Sequence, residues 1–237
     1  MQVLFYILLF ATVAVSGCSV LIFKFKNEIL KLILSFSGAY LITITILYLI
    51  PEIYTGTSNH TAGIYILTGF FLQIFFDFFS GGIEHGHIHK HSRFVFPVTM
   101  MLALSVHSFL EGMPLAGEMN ETKRSLFIGI ILHNIPIAIA LMSMLLSSDI
   151  SRQKALLWLI IFALMTPLGT MTNAFLGENI LSSAKEFNDK IMGIVIGIFL
   201  HISTTILFES EEEHRFNLQK FFSILIGITI ALLQIIL

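Results

Sequence analysis

The sequence predicts an all-α integral membrane protein with eight transmembrane helices, and three observations support this fold class. Of the 237 residues, 56% are hydrophobic and 12% are charged, whereas soluble domains contain about 25% charged residues. The mean hydropathy is +0.89. The apolar residues form runs of about 20, the length that crosses a bilayer, with short connections between them. We therefore predict a single transmembrane domain over residues 1–237.

The elements follow from the apolar runs taken in order. The predicted spans are residues 2–23, 30–50, 62–82, 94–116, 124–147, 154–176, 189–208 and 217–237. The first run ends near VSGC, which is similar to a bacterial lipoprotein cleavage site. No Lys or Arg precedes that run and its length suits a span, so a retained first helix is expected.

The basic residues between the runs predict the orientation, because cytoplasmic loops are enriched in Lys and Arg. Nine of them fall on one side: Lys24, Lys26, Lys31, Lys90, Arg93, Arg152, Lys154, Arg215 and Lys220. Four fall on the other: Lys123, Arg124, Lys185 and Lys190. The larger set is expected in the cytoplasm, which places both termini outside.

Composition also excludes some classes of partner and site. The net charge is −2 and there is no basic stripe, so no nucleic-acid partner is expected. Cys18 is the single cysteine, so one chain cannot build a disulfide or a metal site with several thiolates.

A metal site is predicted in the fourth and fifth spans. His107 and Glu111 are four residues apart, so they lie on one face of a helix, and His133 lies in the next span. Ionisable groups at bilayer depth are costly and usually functional. Pro114 and Pro136 each free a backbone carbonyl beside this set. Two imidazoles and a carboxylate suit Zn, Fe, Mn, Co or Cd, with an open position for water.

A second histidine cluster lies between the third and fourth spans, at about residues 83–93. Its predicted metal-capturing residues are His85, His87, His89 and His91. A His-rich tract of this kind is typical of metal binding. We expect this cytoplasmic loop to receive, buffer or sense metal rather than to form the permeation site.

These motifs resemble the ZIP (Zrt-, Irt-like) family of divalent-metal transporters over nearly the whole chain. In span four, HSFLEG from His107 to Gly112 is similar to the family's H-[NS]-x-x-[ED]-G, and HNIP from His133 to Pro136 is similar to the start of H-x-x-P-E-G. The resemblance implies a 3+2+3 arrangement of helices with helices 4 and 5 carrying the site. It also implies alternating access, with spans four and five in a mobile bundle.

The chain departs from the family pattern where relatives carry further acids. Ile137 occupies the position four residues after the span-five histidine, and Thr166 stands where many relatives have a span-six glutamate. Relatives use those acids for a second metal. We therefore expect a single-metal site of His107, Glu111 and His133, with weak oxygen contacts from Ser108 and Asn134.

The leading functional hypothesis is a non-enzymatic transporter that carries a divalent metal ion into the cytoplasm, with zinc as the first candidate. An intramembrane zinc-dependent hydrolase is the alternative, although no H-E-x-x-H motif occurs. A transport-impaired metal sensor is the third hypothesis, favoured by Ile137 and Thr166. The expected partners are divalent metal ions and the lipid bilayer, with a homodimer left open. The expected location is a bacterial inner membrane.

Overall fold

A computed structural model of the chain describes residues 2–56, 59–80, 98–179, 184–208 and 218–236, and these ranges are helical apart from short connections. Its α-helices are α1 (Gln2–Ser19), α2 (Asn27–Ile44), α3 (Ile50–Gly56), α4 (Asn59–Ser80), α5 (Val98–Gly112), α6 (Glu121–Ser147), α7 (Arg152–Asn179), α8 (Ala184–Phe208) and α9 (Leu218–Ile236). The all-α fold class predicted from the sequence is confirmed for this described part.

The helices have the apolar surface that a bilayer requires. In the described ranges, five helices are long and apolar enough to cross a membrane, and three further apolar helices are shorter. Their outer surfaces expose large apolar side chains, among them Phe71, Phe75 and Phe78 of α4. Within the described residues these segments overlap the predicted runs, while the number of membrane crossings and the 3+2+3 arrangement stay predictions.

The second predicted span is interrupted rather than uniform. A π-helical turn, Thr45–Leu49, separates α2 from α3, and the N–H of Ile50 donates to the carbonyl of Thr45, five residues back. Pro51 follows at once and lacks the N–H that would donate to the carbonyl of Leu47. This loss of a regular bond accounts for a widened turn at that point, where such bulges often accompany function.

The fourth span also changes geometry at a proline. Helix α5 ends at Gly112 and continues as a 3₁₀ turn, Met113–Leu115, that contains Pro114. Helix α6 then begins at a cap, because the Asn120 side chain accepts a hydrogen bond from the N–H of Lys123 at 2.8 Å. In contrast, α6 runs through Pro136 without ending, so the two prolines have different effects on their helices.

The helices pack as two groups. In the first helix group, α1 packs on α6 and α7, and α5 packs on α7. In the second helix group, α4 packs on α8, α2 packs on both α8 and α9, and α3 packs on α8. The groups meet chiefly where α2 contacts α6 and where α4 contacts α5. We call the end of the molecule where α1, α4, α6 and α8 begin the terminal face.

Within the first helix group, α5 and α7 pack so closely that their backbones are in contact. A Cβ atom at Gly112 would lie 2.1 Å from the carbonyl oxygen of Thr166, and one at Gly169 would lie 1.9 Å from that of Phe109. Small residues permit this approach between membrane helices. It brings the polar edge of α7 against the end of α5 that carries Glu111.

Candidate metal centre

Helices α5 and α6 bring His107, Glu111 and His133 together. One ligand atom from each lies within 4.8 Å of the others, and all three residues are fully buried. The Nε2 atom of His107 is 3.3 Å from Oε2 of Glu111, as expected one helical turn away. The rings of His107 and His133 are nearly perpendicular, with centroids 6.1 Å apart. The three residues predicted from the motifs therefore form one cluster across two helices.

Asn134 belongs to this cluster as a partner of the carboxylate. Its Nδ2 atom donates to Oε1 of Glu111 at 2.7 Å, and both side chains are at most 2% exposed. The Oδ1 atom of Asn134 is buried and has no hydrogen-bond partner among the described residues. Asn134 thus orients Glu111 through its amide nitrogen, while the predicted contact with metal would have to use Oδ1. The arrangement leaves Oε2 of Glu111 facing His107.

Ser108 is already engaged on the other side of α5. Its hydroxyl lies 2.8 Å from that of Thr166 on α7, and both residues are at most 1% exposed. Ile137 is fully buried and packs in the apolar core. The two positions where relatives carry further acids therefore serve packing in this chain: Thr166 joins α7 to α5, and Ile137 fills the core.

Thr170 and Asn173 on α7, which are not among the residues predicted from the sequence, form hydrogen bonds to the end of α5. The Thr170 hydroxyl donates to the carbonyl of Gly112 at 2.8 Å. The Asn173 amide donates to the carbonyl of Met113 at 2.7 Å. Both residues are at most 5% exposed. Thr166, Thr170 and Asn173 are spaced by four and three residues, which places them on one helical face. This polar stripe in an apolar run is the sequence pattern that indicates a polar contact on α7.

A second polar cluster lies within the second helix group, between α4 and α8. Oδ2 of Asp77 is 3.2 Å from Nδ1 of His201, and Gln73 donates to Oδ1 of Asp77 at 2.9 Å. The ring of His201 also meets Phe70 edge-on, with centroids 5.0 Å apart. These residues therefore interact with one another inside their own group.

The predicted metal-capturing loop cannot be placed against this site. His85, His87, His89 and His91 lie outside the described residues. Their role therefore stays a prediction from composition.

Chemically, the cluster of two imidazoles and one carboxylate is a nitrogen-rich, sulfur-free donor set. Such sets hold borderline divalent cations, of which zinc is the commonest with histidine. With zinc–ligand distances of about 2.0–2.2 Å, the ligand atoms of a tetrahedral site are about 3.4 Å apart. Since the three atoms lie within 4.8 Å of one another, the side chains would close by at most about 1.4 Å around an ion.

Comparison with known proteins places this chain in a family. A model of the ZIP zinc transporter family matches residues 83–234, more than half of the chain. The chain is also 28% identical over 162 residues to "Protein zntD" of Dictyostelium discoideum, a match that covers 62% of this chain and 23% of that protein. The matched region is thus less than a quarter of the length of this relative. The resemblance predicted from the motifs is confirmed, and the chain belongs to the ZIP family, whose members are multi-pass membrane transporters and not enzymes.

Proposed function

We propose that this chain moves a divalent cation, with zinc as the first candidate, into the cytoplasm through a single-metal centre of His107, Glu111 and His133. The observation that carries the proposal is the convergence of three ligand atoms within 4.8 Å, on two apolar helices and away from solvent. Buried ionisable groups in membranes are expensive and mark ion pathways. The name of the Dictyostelium discoideum relative, zntD, and the family description both favour zinc.

Charge supports a transport role over permanent storage. The cluster contains one carboxylate, so a bound divalent ion keeps a net charge of about +1. A partly compensated ion binds with moderate affinity and can leave again, which conduction requires. Three protein ligands also leave a position for water or for exchange.

The proposed single-metal site follows from what surrounds the three ligands. Ile137 is apolar and buried, and Thr166 is hydrogen-bonded to Ser108. Among the described residues of the cluster, Glu111 is the sole carboxylate. We propose one ion at a time, with Ser108 and Asn134 contributing at most weak oxygen contacts.

The orientation of the chain in the membrane rests on the distribution of basic residues, and the inward direction of transport rests on the family resemblance. Nine Lys and Arg residues on the side opposite the termini, against four on the terminal side, favour a cytoplasmic location for the larger set. Both termini would then face outward and the terminal face would receive the ion. Accessibility of a tag at each terminus in intact cells tests this orientation independently.

The proposed function is tested by zinc flux into proteoliposomes that contain the purified full chain. Parent protein should load the vesicles, and Glu111→Gln should abolish loading, because it removes the charge but keeps the shape and the acceptor for Asn134. His107→Ala should do the same. His60→Ala is the matched control, since His60 is an exposed histidine on α4 far along the chain from the ligands.

The results separate the remaining alternatives. Flux that persists in Glu111→Gln and His107→Ala would remove these residues from the site. Zinc binding without flux in the parent would favour the transport-impaired sensor, for which Ile137 and Thr166 are the supporting residues. Competition by Fe(II), Mn(II), Co(II) and Cd(II) in the same assay identifies the preferred ion.

A further inference from the structure

Hydrogen bonds join the two helix groups near the terminal face. The Tyr40 hydroxyl of α2 lies 3.2 Å from the carbonyl oxygen of Ser125 on α6. Asn120, the cap of α6, donates to Glu52 of α3 at 3.3 Å. Asn173 of α7 donates to Oδ1 of Asn188 on α8 at 3.0 Å. Each of these bonds would have to break for the groups to separate at that face.

Asn173 differs from the other residues in this set because it also holds the metal-bearing helix. Its amide nitrogen donates to the carbonyl of Met113, two residues after Glu111, as well as to Asn188. An amide NH₂ has two hydrogens, so these two bonds use its full donor capacity. Asn173 is 5% exposed, and buried donors are costly to leave unpaired.

The end of α5 is a place where a shift at Glu111 can be transmitted. Helix α5 stops at Gly112, and the 3₁₀ turn beyond it is held by hydrogen bonds from α7. The Cβ that Gly112 lacks would lie 2.1 Å from the backbone of Thr166, so the two helices are in close backbone contact at this point. A cavity of about 740 Å³, lined in part by Leu115, Arg124 and Asn173, adjoins this turn.

We propose that Asn173 is a positioning residue that couples occupancy of the metal centre to closure of the terminal face. The inference rests on the proposed metal centre. An ion that draws Glu111 towards the two histidines fixes the position of the end of α5. Asn173 is hydrogen-bonded to that end, and its second bond then holds Asn188 of the second helix group in place. By linkage, the bond between the asparagines and the bound ion stabilise each other.

The test measures closure with a reporter cysteine in the full chain in lipid nanodiscs. Cys18→Ser removes the natural thiol, and Ser125→Cys introduces one at a position that is 4% exposed where the groups meet. The rate of maleimide labelling is measured with and without saturating zinc. Zinc should slow labelling of this reporter by about three- to tenfold, the factor that corresponds to one neutral hydrogen bond.

Two substitutions at Asn188 provide a matched pair. Asn188→Ala removes the acceptor and leaves the bond from Asn173 to Met113 intact, so labelling without zinc should rise about three- to tenfold and the zinc effect should shrink. Asn188→Asp keeps an acceptor of the same shape and should behave like the reporter protein. Asn173→Ala should abolish the zinc effect. Loss of packing alone would not depend on zinc or be restored by Asn188→Asp.

The outcomes separate this inference from the metal centre itself. Zinc binding is measured by calorimetry on the same proteins. If the reporter protein does not bind zinc, the proposed metal centre fails and this inference fails with it. If it binds zinc but zinc leaves labelling unchanged, or slows labelling in Asn173→Ala and Asn188→Ala as much as in the reporter protein, the coupling role of Asn173 is wrong and the metal centre stands.

Discussion

Replacing Asn134 by leucine tests whether the carboxylate of the metal centre depends on its amide partner. Asn134 donates to Oε1 of Glu111 at 2.7 Å, with the two side chains 2% and 0% exposed. Hydrogen bonds to charged groups contribute about 1.5–3 kcal/mol. Leucine has a similar length and no donor, so it leaves a buried carboxylate oxygen without that bond.

The expected effect is a zinc dissociation constant raised about 10- to 100-fold, since about 1.4 kcal/mol corresponds to a factor of ten. Partners of metal ligands in other sites have effects of about this size. Calorimetric titration of the purified chain, with a competing chelator, measures the constant. Thr45→Val is the matched control, because it also removes a buried polar group, one whose hydroxyl has no hydrogen-bond partner among the described residues.

Two results would refute this reasoning. A dissociation constant within about twofold of the parent, in a protein that melts normally, would mean that Glu111 is held without Asn134. A tighter constant would mean that the amide competes with the ion for Oε1. A similar change in Thr45→Val would show that the loss is not specific to the carboxylate.

Three further changes test other parts of the structure. Ile137→Glu should raise the zinc stoichiometry from one towards two, because it adds a carboxylate one turn after His133. Elemental analysis after dialysis measures the stoichiometry. A value that stays at one would count against the lost second site. Gly112→Ala should destabilise the protein by about 1–3 kcal/mol or more, as overpacking does, since its Cβ would lie 2.1 Å from a backbone oxygen. Gly63→Ala, whose nearest contact would be at 3.8 Å, should leave the melting temperature in detergent nearly unchanged; equal losses would contradict the close α5–α7 approach. Deletion of residues 85–91 should change the apparent affinity or regulation of zinc uptake while transport persists, and complete loss of flux would place the loop in the pathway itself.

The sequence predicts the part of the site that depends on local spacing. His107 and Glu111 lie on one face because a helix repeats every 3.6 residues, and the apolar runs indicate which residues are helical. That His133 faces them is suggested by the family motifs and is seen in the three ligand atoms that lie within 4.8 Å of one another. Residue spacing and motifs therefore predict the chemistry of the proposed centre without the fold.

The remaining features depend on contacts between distant parts of the chain. Asn173 lies 60 residues from Met113 and 15 from Asn188, and no periodicity links such positions. Apolar composition is also nearly uniform around these helices, so hydropathy does not reveal which helices pack together. For the same reason, Asn134 reads in the sequence as a weak ligand, whereas its geometry makes it a partner of Glu111.

The glycines indicate which of these helix contacts can be altered by sequence change. At Gly112 and Gly197, an added Cβ would strike backbone atoms, 2.1 Å from Thr166 and 1.9 Å from Ile66, and backbone cannot step aside. At Gly129, where α6 faces α2 of the other group, the nearest atoms are side-chain tips, the closest being Cδ1 of Ile44 at 2.7 Å. Side-chain tips can adopt other rotamers. Substitution should therefore be tolerated better at Gly129 than at Gly112 or Gly197, so that this contact between the groups is one that selection can retune without rebuilding either half.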